Sequence, residues 1–244
     1  MPKNKGEGSM IQQELITRSP LRILEKSTQG GVGKGNIGVI AARKGVGKTA
    51  CLVHISTDQL FQEKHVIHVS FASDTSHIVS WYEDIFEEIA RRYRLDNAMQ
   101  VHDELIRHRV IMNFKQDGIN AEQVRKSITS MIKDAHFNAD CIIIDGYDFT
   151  IISEQDFKIF KLLAEELKIE IWFSATLQKE GTVFDNKGVP TLLSKFLNDI
   201  AILVVLEPKE DHVHLQLVKD HNLVQTSPLH LKLDPQILLI AEEA

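Results

Sequence analysis

The stretch Asn36–Thr49, NIGVIAARKGVGKT, decides how the rest of the chain is read. An apolar-leaning run from Ile37 to Ala42 leads into a turn and then into Gly-Lys-Thr. Counted from Ala42 the pattern is Ala-x-x-x-x-Gly-Lys-Thr, with alanine where the phosphate-loop consensus has glycine. Gly45 and Gly47 permit backbone conformations that a side chain forbids, so successive N–H groups can turn toward a phosphate. A helix beginning near Lys48 adds the positive end of its dipole. Lys48 has the reach for β- and γ-phosphates, and the Thr49 hydroxyl suits Mg²⁺. Ala42, Arg43, Lys44, Gly45, Val46, Gly47, Lys48, Thr49 and Ala50 are therefore the candidate nucleotide cradle. A strand before the turn and a helix after it are the context this chemistry requires.

Just upstream, Gly30-Gly31-Val32-Gly33-Lys34-Gly35 imitates such a loop. No Ser or Thr follows Lys34 and the next segment is a strand, so it reads as the turn feeding that strand, about Asn36–Ala41. Downstream, Leu52, Val53, Ile55, Leu60 and Phe61 mark a helical face within Thr49–Lys64. Val66–Phe71 reads as a second strand. Ile78, Trp81, Tyr82, Ile85, Phe86 and Ile89 recur at three and four residues, the core face of an amphipathic helix. A helical piece over Asn97–His108, a strand over Val110–Phe114 and a helix over Ala121–Ala135 follow. Cys141–Ile144 is a continuous apolar run ending in Asp145, the pattern of a strand covered on both faces. A helix marked by Phe157, Phe160, Leu163, Ala164 and Leu167 precedes a strand over Ile169–Ala175. Pro190–Ile200 reads as helical and Ala201–Leu206 as another buried strand. Val213, Leu215 and Leu217 alternate, as do Leu229, Leu231 and Leu233, which suits antiparallel strands at one edge.

The expected fold is thus α/β, a mostly parallel twisted sheet flanked by helices, with antiparallel strands near the C-terminus. Residues 1–27 read as a flexible leader and N-terminal segment, in which Leu21, Ile23 and Leu24 cap one edge of the core. Residues 28–244 read as one domain. Right-handed crossovers bring the carboxyl ends of the parallel strands to one rim, where ligands bind.

The 244 residues are 43% hydrophobic and 25% charged, the balance of a globular chain with ample core. A formal net charge of −6 argues against a broad surface for coating nucleic acid. Two cysteines in apolar segments, Cys51 and Cys141, make no disulfide framework and suit a reducing cytoplasm. No run reaches the ~18 apolar residues of a membrane span. The 11 histidines show no metal-ligand spacing.

Asp145 is the acid expected to orient Mg²⁺ beside Thr49. A hydrolase also needs a group that positions or deprotonates the attacking water. The end of the second strand, Val69 to Asp74, contains no Glu, so Asp74 is the candidate there, although Asp-Thr-Ser also reads as a helix cap. Asp148 is a second candidate. Ser174–Gln178 closes another apolar strand, and Thr176 or Gln178 there could hydrogen-bond a γ-phosphate or its water. Lys219, in Lys219-Asp220-His221, is a cation that could serve a neighbouring subunit's nucleotide.

GGVGKGNIGVIAARKGVGKTA (30–50) resembles the opening of the RecA-like core of KaiC-type and DnaB-helicase-type ATPases. CIIIDGYDF (141–149) resembles their Walker B strand, and DIAILVVLEP with VHLQLVKDHN (199–222) resembles their late strands. The resemblance implies ATP and Mg²⁺ as ligands, a RecA-type strand order, and homo-oligomers with sites between subunits. It implies Lys48 and Thr49 as the Walker A pair and Asp145 as the Walker B acid. Lys219 matches the lysine of a Lys-x-Arg pair whose arginine position is filled by His221. The family's catalytic Glu would fall near Ala72–Asp74 and is absent. ARKGVGKT also approaches the loop of ParA- and MinD-type ATPases, with Arg43 at the signature-lysine position, but their Asp-x-Asp does not follow the second strand here.

The resulting expectation is an ATP-binding protein with weak or partner-stimulated, Mg²⁺-dependent ATPase activity, acting as a switch or assembly factor on a protein partner. A non-catalytic, nucleotide-stabilised module and a DNA recombinase or helicase accessory are the alternatives.

Overall fold

The run Ile37–Arg43 forms strand β1, and its first six residues are all buried. The computed structural model describes residues 13–72, 74–95, 97–115, 120–178, 181 and 183–243. Before β1 lies helix α1 (Leu21–Ser27), begun by Pro20. After it come α2 (Lys48–Phe61), β2 (Val66–Ser70), α3 (Ser76–Tyr93), α4 (Ala98–Arg107) and β3 (Arg109–Asn113). Then follow α5 (Ala121–Lys133), β4 (Cys141–Asp145), α6 (Glu154–Leu167) and β5 (Glu170–Leu177). A short 3₁₀ turn (Thr191–Phe196) precedes β6 (Ile202–Pro208), β7 (Val213–Asp220), β8 (Leu223–Leu233) and β9 (Ile240–Glu242). The helix read over Pro190–Ile200 is therefore only a tight 3₁₀ segment that turns the chain into β6. The strand β9 carries no readable period because it is three residues long.

The nine strands form one sheet in the order β3-β2-β4-β5-β1-β6-β7-β8-β9. From β3 to β6 all neighbours are parallel, and β6 to β9 are antiparallel. The fold is α/β with a mostly parallel sheet and an antiparallel C-terminal edge, as the alternation of apolar runs implies. The register aligns Ser70 with Asp145 and Ala42 with Thr176, so the polar residues Ser70, Asp145 and Thr176 reach the same rim. Gly38 lets β1 sit close to its neighbours: a Cβ there would lie 2.6 Å from both the Trp172 ring and Val32.

Two apolar layers sandwich the sheet. One contains Ile40, Ile143 and Trp172 beneath α2, α3 and α4, and Leu21 and Leu24 of α1 join it. The other contains Val39, Ile142 and Phe173 beneath α5 and α6, with Phe149, Phe157, Phe160 and Phe196 clustered around Phe173. Both α5 and α6 begin with reciprocal capping boxes, Asn120 with Gln123 and Ser153 with Asp156. No helix among the described residues is long and apolar enough to cross a membrane.

Helix α2 is buried on every side. The apolar face read from the sequence is only part of it, because His54, Ser56, Thr57, Asp58 and Gln59 are also enclosed. Each of three polar contacts ties α2 to a different element. Ser56 Oγ pairs with Tyr82 of α3 at 2.6 Å, Asp58 with Arg22 of α1, and His54 Nδ1 accepts the Ile240 N–H of β9 at 2.9 Å.

His54 makes the fold acid-sensitive. Burial, aided by Arg92, lowers its pKa from the ordinary 6.5 to about 4. A histidine whose pKa falls on folding takes up its proton first in the unfolded chain. The penalty is absent above pH 6.5 and grows as pH falls toward 4. Between about pH 7 and about pH 5 it amounts to about 2 kcal/mol. In His54→Gln the amide oxygen still accepts the Ile240 N–H but does not titrate. Urea unfolding should show the wild type losing about 2 kcal/mol more than this variant over that interval. Equal losses would contradict the assignment.

Candidate functional site

The carboxyl ends of β1, β2, β4 and β5 converge on a cleft of about 500 Å³. One wall is the turn after β1, Lys44 to Thr49, running into the first turn of α2. Gly45 and Gly47 both have positive φ, 82° and 117°, so the turn depends on glycine at these two places. Gly47 is also crowded: a Cβ there would lie 2.2 Å from Leu233 Cδ2, at the end of β8, and that side chain would have to shift. Gly47 is the N-cap of α2 and supplies no side-chain cap, which leaves the helix's first N–H groups without a capping side chain. Ala42 belongs to β1, is buried and has no positive φ, so nothing at this position calls for the glycine of the consensus.

Lys48 opens α2 and turns back along the loop. Its Nζ donates to the carbonyls of Ala42 at 3.1 Å and Arg43 at 3.0 Å. Only 8% of the residue is exposed, and burial holds the ammonium below the usual lysine pKa while the Asp145 carboxylate partly offsets this. Thr49 Oγ1 donates to Asp145 Oδ2 at 2.8 Å, joining the first turn of α2 to the end of β4. Behind this pair, Ser174 Oγ of β5 accepts the Gly146 N–H at 2.8 Å and fixes the turn after Asp145. Thr176 is exposed at the end of β5 and lines the same cleft. A hydroxyl beside a carboxylate is a pair of hard oxygen donors. That set suits Mg²⁺, which takes one or two protein oxygens and keeps the rest of its shell for water and phosphate.

Other candidates lie elsewhere. Asp74 is fully solvent-facing, and its carboxylate accepts from the Ser76 N–H at 2.9 Å and from the Ser76 hydroxyl. These bonds, the hydroxyl's first, hold its pKa below the ordinary carboxylate value. It serves the turn into α3 and does not line the cleft. Asp148 is likewise engaged locally, accepting from the Thr150 N–H and hydroxyl. Lys219 pairs in register with Leu203 near the amino end of β6, toward the rim opposite the loop. Its ammonium is buried against the Ile200 carbonyl, and burial lowers its pKa, with Asp199 acting against the shift. His221 is held by Asp220 at 2.7 Å. The structure thus brings Lys44–Ala50, Asp145 and Thr176 together in this cleft, and leaves Ala42, Arg43, Asp74 and Lys219 out of its lining.

The cleft also gathers residues that the sequence did not single out for it. His77 and Trp81 of α3 form part of its wall, and Leu233, Pro235 and Leu238 form another. Trp81 has the helical spacing of a core residue, and this hides its role beside the cleft. Its indole Nε1 donates to His77 Nε2 at 2.9 Å. Because that nitrogen must accept, the neutral ring carries its proton on Nδ1. The C-terminal residues reach the loop only through the sheet's topology, a long-range contact that no local pattern announces.

No protein-family model matches this chain, and no curated protein matches it.

Proposed function

We propose that the cleft binds Mg²⁺-ATP and that the chain is a RecA-like nucleotide-dependent switch or assembly factor with slow or partner-stimulated hydrolysis. The observation that carries this reading is the junction of Thr49 with Asp145, at 2.8 Å, inside the cleft that the glycine-rich turn and Lys48 also line. Lys48 would exchange its two carbonyl acceptors for β- and γ-phosphate oxygens, a charge-assisted and stronger pairing. Thr49 and Asp145 would hold Mg²⁺, whose role is to offset phosphate charge. The positive φ at Gly45 and Gly47 supports a loop that can present backbone N–H groups to the phosphates. Assembly into homo-oligomers, a protein partner and a cytoplasmic setting enter the reading through the resemblance and the composition.

Fast turnover has less support than binding. Among the described residues, no carboxylate from the segment between β2 and α3 lines the cleft. This observation favours, as a second reading, a module that nucleotide stabilises without hydrolysing it. His77 occupies that wall instead. With Nε2 engaged by Trp81, its Nδ1–H donates and does not act as a base, which suits contact with a terminal phosphate.

Phosphate release and nucleotide affinity separate these possibilities. The wild type should release phosphate from MgATP slowly but faster than Lys48→Ala at some protein concentration. His77→Ala should weaken ATP about 10-fold more than ADP, the effect of losing one hydrogen bond to a charged group. Equal phosphate release by wild type and Lys48→Ala at every concentration would remove the hydrolytic half of the reading. An unchanged preference for ATP over ADP in His77→Ala would remove the role given to His77.

A further inference from the structure

The walls of the cleft differ in kind. Every polar side chain that lines it comes from the glycine-rich turn, the first turn of α2, the strand ends or α3. The wall from the end of β8 onward contributes only Leu233, Pro235 and Leu238. It begins against the loop itself, since Leu233 crowds Gly47. The main chain there adds little. Pro235 has no N–H. The Gln236 N–H donates to Asp234 Oδ1 at 2.9 Å and the Leu238 N–H to the Asp234 carbonyl at 2.8 Å, so both are spent inside the turn between β8 and β9. On α3, the Trp81 indole N–H is engaged by His77.

Leu238 stands out within this wall. Its φ is 59°, in the left-handed region that favours glycine, and yet the residue there is a half-buried leucine. Strained positions of this kind collect at ligand sites. With phosphate and metal held by Lys48, Thr49 and Asp145, the surface left to cover a base is this apolar wall. Apolar surface meets a base by its face, and every base has such a face. Bases differ at their edges, in ring nitrogens, carbonyl oxygens and amino groups. A site rejects the wrong edge strongly only where it spends hydrogen bonds on the right one.

We propose that this site selects the magnesium triphosphate and not the base: it takes purine and pyrimidine nucleoside triphosphates alike, with the base packed face-on against Pro235 and Leu238. The proposal rests on the nucleotide reading of the cleft and widens its substrate class beyond ATP.

The test is calorimetric titration of the full chain with the magnesium complexes of ATP, GTP, CTP and methyl triphosphate, the last a probe without a base. The three nucleotides should bind within about 10-fold of one another, and methyl triphosphate at least about 5-fold more weakly than any of them. Leu238→Gly suits the backbone at that position and removes the side chain. It should weaken all three nucleotides about 5-fold and leave methyl triphosphate unchanged. Should this variant fail to fold, the four probes on the wild type decide the matter. One nucleotide binding more than about 10-fold more tightly than another would overturn the proposal and leave the phosphate site standing. Methyl triphosphate binding as tightly as the nucleotides would do the same, as would a folded Leu238→Gly variant with wild-type nucleotide affinities. No binding of any of the four would overturn the proposal together with the reading on which it rests.

Discussion

Lys48→Ala is expected to weaken MgATP binding about 100-fold, roughly 3 kcal/mol, while leaving the fold intact. The reason lies in where Lys48 sits. It is the buried cation of the cleft's loop wall, and its present partners are two main-chain carbonyls rather than a carboxylate. Removing it from the free protein leaves those carbonyls beside a cleft that water can enter, which limits the change in stability to about 1 kcal/mol. Removing it from the bound state leaves phosphate charge without its nearest cation, and truncating one side of such a pair typically costs several kcal/mol. Urea unfolding and a calorimetric titration of the same sample separate the two effects. A variant that unfolds early would make Lys48 structural. A variant that binds as the wild type does would remove the loop from the nucleotide site.

Asp145→Asn should reduce MgATP affinity by about 10- to 100-fold and abolish most of the gain that Mg²⁺ gives over metal-free ATP. Asparagine has nearly the same shape and its amide oxygen can still accept from the Thr49 hydroxyl, so the junction between α2 and β4 is preserved. What is lost is the negative charge, together with the Coulombic support that Asp145 gives the Lys48 ammonium. Affinities measured with Mg²⁺ and with EDTA, in wild type and variant, isolate the metal-dependent part. If both proteins gain equally from Mg²⁺, Asp145 is a structural partner of Thr49 and nothing more.

The parts of this molecule legible in the sequence are those whose physics is local. The β1–loop–α2 unit announces itself because an apolar run, two glycines and Gly-Lys-Thr are contiguous. The strand Cys141–Asp145 is legible for the same reason: four apolar residues in a row suit a strand covered on both faces. The parallel register then carries Ser70, Asp145, Ala42 and Thr176 to one rim with no further information.

Where residues act at a distance, the sequence is silent. The polar side of α2 looks solvent-facing until α1, α3 and β9 are seen to cover it. Trp81 obeys the spacing of a core residue and yet lines the cleft with His77. Leu233 meets Gly47 only because the antiparallel edge carries the C-terminal strands back across α2. Asp74 is ambiguous in the opposite way. Its residue type fits both a catalytic acid and a turn, and here each of its carboxylate oxygens accepts one hydrogen bond from Ser76 two residues on.

The central claim is that the cleft under the glycine-rich turn takes a magnesium nucleoside triphosphate. Calorimetric titration of the wild-type chain with MgATP tests it most directly. Saturable binding of one nucleotide per chain, at a Kd in roughly the micromolar range, is the result predicted. Absence of any binding at about 1 mM MgATP, in a sample that unfolds cooperatively, would contradict it.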